Sequence, residues 1–304
     1  MEMSVSVISA TVGRLEQVDR LLSSLSQLEG YDEIGPEIVI ANNARDEDQA
    51  KKIEAIVSKY AARLVHPCRH VRELRPGKCR AQNRAIPIAS GSVLVFLDDD
   101  VEVTPGWLRS IVNFFNEFPY EVMQGSILMR DKDRERTDIQ NALQRYRTID
   151  FIDYGSPPGS QLFTLTGGNM AIRREVFQRT GLFNEQLGPG QAGISEDVEF
   201  AKRATAAGFK IGYEPRAAVY NEMDVSRLSD KEFRRRHEAQ GRSRLVYKQQ
   251  SLIRISANLL RSMLTFGWYS LIGNERKKYR AKGRYYHYRV MIVEKSRTNV
   301  ESQR

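Results

Sequence analysis

Residues Ser92–Asp100 read SVLVFLDDD, and this stretch limits the fold more than any other. Val93–Leu97 is a short, continuous apolar run rich in β-formers, the pattern of a strand covered on both faces, as in a parallel sheet. The run ends in three adjacent carboxylates, Asp98, Asp99 and Asp100. Like charges at the end of a buried strand need compensation, and hard oxygen ligands suit Mg²⁺ or Mn²⁺. Ligands of open α/β sheets also bind beyond the carboxyl ends of strands. A polar turn that leaves a core strand, with Val101–Pro105 continuing it, explains the same residues without a ligand.

The flanking pattern supports a sheet of this kind. Ser4–Ala10 predicts a first strand, and Leu15–Leu28 a helix with apolar residues at helical spacing. Glu37–Ile40 is a second strand, Glu47–Tyr60 a helix, Arg63–Val65 a third strand and Lys78–Ala89 a helix. Alternating strands and helices predict a Rossmann-like, mostly parallel sheet flanked by helices. Beyond it, Pro105–Phe118 reads as a helix with Pro105 in its first turn. Val122–Met129 is a strand, Asp131–Ile149 a charged surface helix, and Met170–Ile172 a strand leading into a helix from Arg174. Lys210–Tyr213 and Ala217–Tyr220 are two last short strands.

A second acidic pair, Glu196 and Asp197, opens the helix that Gly208 closes, with Ser195 as a candidate N-cap. The helix dipole favours ionised carboxylates there, as a general base requires, although first-turn acids are also ordinary capping. Gly188, Pro189, Gly190 and Gly193 precede it and suggest a mobile or ligand-approached loop.

Composition bounds the remaining classes. With 41% hydrophobic and 28% charged residues, the 304-residue chain can build a full core. Cys68 and Cys79 give neither a disulfide framework nor metal-ligand spacing, which suggests a reducing compartment. The opening residues lack a basic n-region and a long apolar run, so no secretory signal is expected and the cytoplasm is the expected location. No stretch approaches about 18 uncharged apolar residues, so no membrane span is expected. The net charge of +9 is uneven: from Arg227 onward there are twenty Lys and Arg against six Asp and Glu. Such a tail suits an anionic surface. Ile253–Ile272, with Trp268 and Tyr269 and Arg276–Lys278 following, reads either as an interfacial membrane segment or as a helix packed on the body. No helix-turn-helix, finger or aromatic RNA platform is present, so nucleic acid is not expected as a partner.

Several motifs in order resemble the family 2 glycosyltransferases, which have the GT-A fold. They are Val7–Arg14 (VISATVGR), Gly77–Asn83 (GKCRAQN), the DxD-like Asp98–Asp100, Thr166–Arg174 (TGGNMAIRR), Gly181–Glu185 (GLFNE), Glu196–Asp197, Gly208 and Tyr213–Pro215. The resemblance covers most of Val5–Tyr220. It implies a GT-A domain over 1–224, with a nucleotide-sugar half (1–100) and an acceptor half (101–224), and a basic helical extension over 225–304. It further implies inverting transfer from a nucleotide-diphosphosugar, a UDP-sugar in many members, to a hydroxyl acceptor that is lipid-linked in some. Ala10, Thr11, Gly13, Arg14, Asn42, Lys78, Asn83, Asp98, Asp99, Gly168 and Asn169 would bind the donor. Asp98, Asp100 and Asn221 would hold a divalent metal, Mn²⁺ or Mg²⁺. Asp197 would be the base, with Glu196 positioning it or binding acceptor. Two positions depart from the family. Ala41 stands where many members carry a base-reading acid, followed by Asn42 and Asn43. Asn221 stands where many carry a metal-binding histidine, with Glu222 as the ligand if the match is shifted by one. These departures are the features that favour an alternative, a nucleotide-sugar-binding or scaffold protein without turnover, and the intact Asp98–Asp100 and Glu196–Asp197 argue against it.

Overall fold

The computed structural model describes residues 3–146 and 151–301, with side chains described through residue 297. Two compact units emerge, and they do not follow one cut in the sequence. The first comprises Met1–Arg130, Asp150–Glu185 and Glu196–Glu222, and the second Asp131–Ile149, Gln186–Ser195 and Met223–Arg304.

The first unit is built on one mixed sheet. Its strands are β1 (Val5–Thr11), β2 (Glu37–Asn42), β3 (Cys68–Arg72), β4 (Val93–Asp98), β5 (Val101–Val103), β6 (Val122–Met129), β7 (Ser160–Leu162), β8 (Asn169–Arg173) and β9 (Ile211–Asn221). They lie in the order β3-β2-β1-β4-β8-β6-β9-β5, and β7 pairs with β9. β1–β4 run parallel, whereas β8 joins β4 antiparallel. Register sets Ala10 beside both Ala41 and Asp98, which aligns the carboxyl ends of three strands.

The apolar run of β4 is continuous because both faces are covered. Val93, Val95 and Leu97 face a core shared with α1 (Leu15–Leu25), α3 (Glu47–Ala61) and α5 (Trp107–Glu117). Leu94 and Phe96 face the other core, with α4 (Lys78–Ala85), α8 (Arg174–Thr180) and α9 (Glu196–Ala206).

Several boundaries differ from the sequence reading. No strand forms at 63–65; the third strand is Cys68–Arg72, whose outer position in the sheet leaves Arg69 exposed and breaks the apolar signal. Gly106 precedes the first turn of α5, so Pro105 lies outside the helix. α1 stops at Leu25 and α4 at Ala85. Val101–Val103 is a separate strand, antiparallel to β9. The two last short strands are one, β9, with a register shift opposite Gly125/Ser126. Ser195 has φ +78°, unlike the extended backbone of an ordinary N-cap.

In the second unit, α6 (Asp131–Arg134) and α7 (Thr137–Tyr146) replace the single expected helix, whose end at 147–149 lies outside the described residues. Three longer helices follow: α10 (Asp230–Tyr247), α11 (Leu252–Leu271) and α12 (Glu275–Glu301). Phe233 and Tyr279 join Tyr146 in an aromatic cluster. The glycine loop is anchored here: a Cβ on Gly193 would come within 2.6 Å of the Ala239 Cβ, so this glycine serves close packing on α10. Both cysteines are buried and free.

Asn169 ties the sheet together. Its side chain is fully buried, its amide donates to the Ser126 and Ala217 carbonyls at 2.8 Å each, and its Oδ1 accepts from the Trp107 indole at 3.0 Å. Asn169→Ala strands three buried partners without a hydrogen bond. It should lower unfolding free energy by about 2–4 kcal/mol, read as a lower urea midpoint; an unchanged midpoint contradicts this role.

Candidate active site

The strand end of β4 gathers five carboxylates and two cations. Asp98 closes β4, Asp99 and Asp100 form the turn before β5, and Glu196 and Asp197 open α9. An aromatic cluster sets the distance between these groups. Phe200, one turn along α9, packs on Phe177 and Phe183, and both rings pack on Phe96, two residues before Asp98.

The three aspartates have different environments. Asp99 is 1% exposed and carries the paired grip of the Arg14 guanidinium, whose Nε donates to Asp99 Oδ2 at 3.1 Å. Arg14 Nη1 reaches Asp100 Oδ2 at 2.8 Å. Burial pushes the Asp99 carboxyl up to about 6, against the pull of Arg14 and a hydrogen bond from Thr11. The side chains of Asp98 and Asp100 keep solvent contact. Alternation thus turns the middle aspartate inward and leaves its neighbours open.

Lys78 bridges the two acidic groups. Its Nζ donates to Asp98 Oδ1 at 2.5 Å and lies 3.5 Å from Glu196 Oε1. A cation in the first turn of α4 opposes the helix dipole, so its placement needs these acids. Burial works against its charge, but Asp98, Glu196 and Asp197 outweigh burial and hold the ammonium well above the ordinary lysine range.

Asp197 accepts hydrogen bonds from the Gly167 N–H at 2.6 Å and the Val198 N–H at 2.7 Å. Burial and then Glu196 raise its pKa to about 7, against these two donors and Lys78. A Cβ on Gly167 would lie 3.3 Å from Lys78 Nζ and 3.7 Å from Asp197 Oδ2, so a side chain there would crowd the charged groups. Gly168, at φ +100°, passes so close to Asp98 that a Cβ would meet Oδ2 at 2.9 Å.

The opening loop is held from within. Thr11 Oγ1 accepts from the Gly13 and Arg14 N–H groups, and Gly13 adopts φ +103° against Gln49 and Ala44. Ala10 lies beside Asp98 by register. Asn221 ends β9 opposite Val101, the residue after Asp100. Glu222 pairs with Arg20 at 2.9 Å.

Three of the residues expected at the donor have side chains that hydrogen-bond within the fold. Asn42 is fully buried, donates to the Ala50 carbonyl and accepts from the Ala44 N–H. Asn83 exchanges two hydrogen bonds with the Phe183 backbone. Asn169 holds Trp107 and two carbonyls, as described above. The reason is common to all three: an amide is the side chain that satisfies a buried carbonyl and a buried N–H together. Asn43, named in the sequence only beside the base-reading position, binds the Glu73 and Arg75 carbonyls and the Gly77 N–H and so shapes the entry to Lys78. Ala41 is fully buried in the core.

Among the described residues, no three His, Cys, Asp or Glu side chains converge as a ready-made metal cage. The donor set nevertheless fits a hard divalent cation of the Mg²⁺ type, which needs one or two carboxylates when phosphate oxygens and water complete the shell. Asp98 and Asp100 are the partly open carboxylates available for that purpose.

Arg14→Ala removes the cation on buried Asp99 and should destabilise the fold by about 1–3 kcal/mol near pH 8, a range reduced because Arg14 is partly exposed. The folded pKa of Asp99 lies above its ordinary 3.8, so protonation favours the fold and its benefit fades as pH rises through about 6. The variant's deficit should therefore shrink near pH 5. Paired urea titrations at the two pH values check this, and a deficit independent of pH contradicts it.

The comparisons agree with this architecture. A Drosophila melanogaster protein assigned as a polypeptide N-acetylgalactosaminyltransferase is 25% identical over 192 residues, covering 60% of this chain and 30% of the relative. A mannosyltransferase of Pyrobaculum calidifontis, PcManGT, solved with GDP-Man and Mn²⁺, superposes with a TM-score of 0.59 at 14% identity, over 97% of this chain and 87% of that one. S. aureus TarS superposes with a TM-score of 0.52 at 17% identity, over 82% of this chain and 41% of that one. The chain thus spans under half the length of the fly relative and of TarS, and the two structures share its GT-A fold. The family model for glycosyl transferase family 2 matches residues 6–181, more than half of the sequence, and the chain belongs to that family.

Proposed function

We propose that this chain transfers a sugar from a nucleotide-diphosphosugar to a hydroxyl acceptor, with inversion at the anomeric carbon. The observation that carries the reading is Asp197: a carboxylate held by two backbone N–H groups, beside Lys78, which also binds the open Asp98 at the end of β4. A nucleotide-sugar donor is supported by the GDP-Man complex of PcManGT and the UDP-GlcNAc complex of TarS.

In this reading Asp197 takes the proton of the acceptor hydroxyl as its oxygen attacks the anomeric carbon. The new carbon–oxygen bond forms as the bond to the diphosphate oxygen breaks. The nucleoside diphosphate leaves with that electron pair, and one displacement inverts the centre. Lys78 offers an ammonium to the developing phosphate charge. Asp98 and Asp100, with Asn221 near them in register, would hold a divalent cation whose role is to neutralise diphosphate charge. Asp98 and Glu196 keep Lys78 charged, and burial together with Glu196 raises the pKa of Asp197, matching the base to near-neutral operation. Glycines 167 and 168 leave room for close approach to the backbone.

Asp197→Asn keeps the shape and an acceptor for the Gly167 N–H but removes the base. Transfer should fall by about 10²–10⁴-fold, while nucleoside diphosphate binding by calorimetry stays within about twofold. In the wild type the base works only when ionised. Its kcat/KM should therefore rise with pH through about 7 and level off above it. Full transfer by the variant contradicts the assignment. Nucleotide binding without any transfer by the wild type favours the scaffold alternative.

A further inference from the structure

α11 presents an apolar face to solvent. Ile253, Leu260, Leu264 and Leu271 recur at steps of seven and four residues, so they lie on one side of the helix. Ile253 and Leu271 are each 84% exposed, and Trp268 on the same flank is 61% exposed. The opposite side is spent on packing. Ile255 and Ser262 are buried, and α11 runs along α12, whose Ala281, Val290 and Met291 are buried in turn. The bare face is therefore the outer side of a helix whose inner side already has a partner.

Charge borders this face. Arg254 and Arg261 are exposed one position round from Ile253 and Leu260, along one edge. Beyond the C-terminal end, after exposed Ile272 and the turn at Gly273, come exposed Arg276 and Lys277. Lys277 lies over the ring of Tyr269, 5.5 Å from its centre. An apolar stripe edged by cations, with Trp and Tyr towards one end, is the chemistry of a helix lying flat in the headgroup region of an anionic bilayer. The surrounding excess of basic residues from Arg227 onward extends the same complementarity. No helix among the described residues is long and apolar enough to cross a membrane. A second copy would bring the same cationic edges together, which disfavours self-pairing through this face.

We infer that the exposed face of α11 is a docking surface for an anionic phospholipid membrane, with the helix lying in the interface plane. This holds independently of the transfer chemistry. It would bring the chain to a surface where lipid-linked acceptors are found.

Trp268 makes the test direct. The sequence has two tryptophans, and Trp107 is fully buried, so an environment-dependent fluorescence change reports α11. The full chain is mixed with vesicles of phosphatidylcholine alone, or with phosphatidylglycerol at about one third of the lipid. Flotation and tryptophan emission are read together. The expected result is flotation and a blue-shifted emission with phosphatidylglycerol, at least about tenfold weaker binding to phosphatidylcholine alone, and weakening in high salt. Leu264→Glu, at an exposed position, should weaken binding by about tenfold or more with unchanged circular dichroism. Trp268→Phe should still float but lose the blue shift, and Arg254→Gln with Arg261→Gln should weaken anionic binding alone. Absence of flotation overturns the inference, as does binding indifferent to phosphatidylglycerol or to Leu264→Glu. A blue shift that follows protein concentration without vesicles, with dimers in sedimentation, overturns it in favour of a second copy.

Discussion

Electrostatic compensation at the carboxyl end of β4 is the constraint on which the site depends. Three carboxylates follow one another there and two more open α9 nearby, and two cations, Arg14 and Lys78, answer them. Neither cation could be neutral without leaving buried negative charge unanswered. The arrangement is asymmetric. Arg14 is committed to the inward Asp99 and spans to Asp100, whereas Lys78 stands between the β4 acids and the α9 acids. An excess of negative charge at a partly open strand end is what a cationic or metal-neutralised ligand would complete.

The sheet and its two cores exist, from the point of view of this site, to hold those charges at fixed separations. Parallel register puts Ala10 between Ala41 and Asp98, which aligns the ends of β1, β2 and β4. The Phe96–Phe177–Phe183–Phe200 cluster couples β4 to α9 through apolar contact alone. Buried amides then lock the loops: Asn43 shapes the approach to Lys78, Asn83 holds the chain at Phe183, and Asn169 fastens β8 to its neighbours.

Much of this was legible in the sequence, for physical reasons that vary by residue. A strand covered on both faces must be apolar throughout, so β4 announces itself, and the acids that follow it stand out by contrast. The edge strand Cys68–Arg72 does not, because alternate exposure mixes Arg and His into it. The motif asparagines were visible as unusual, but their partners are mainly backbone groups distant in sequence. No local pattern distinguishes an amide that holds a loop from one that greets a ligand. Arg14 and Lys78 were identifiable as cations near the site. That Arg14 belongs to Asp99 and Asp100, and Lys78 to both acidic clusters, emerges only from the fold. Which side of α11 packs on α12 likewise emerges only from the fold.

The most direct test of the central claim is thermal unfolding of the purified chain against UDP, GDP, TDP and CDP, each with and without Mn²⁺ or Mg²⁺. A ligand at about 100 times its dissociation constant adds about 2.7 kcal/mol to stability, enough for a clear rise in Tm. The expected result is a rise with one nucleoside diphosphate that is small or absent until the metal is added. No rise with any nucleotide, or a full rise that the metal leaves unchanged, would contradict a site built to hold a diphosphate through a metal on the aspartates of β4.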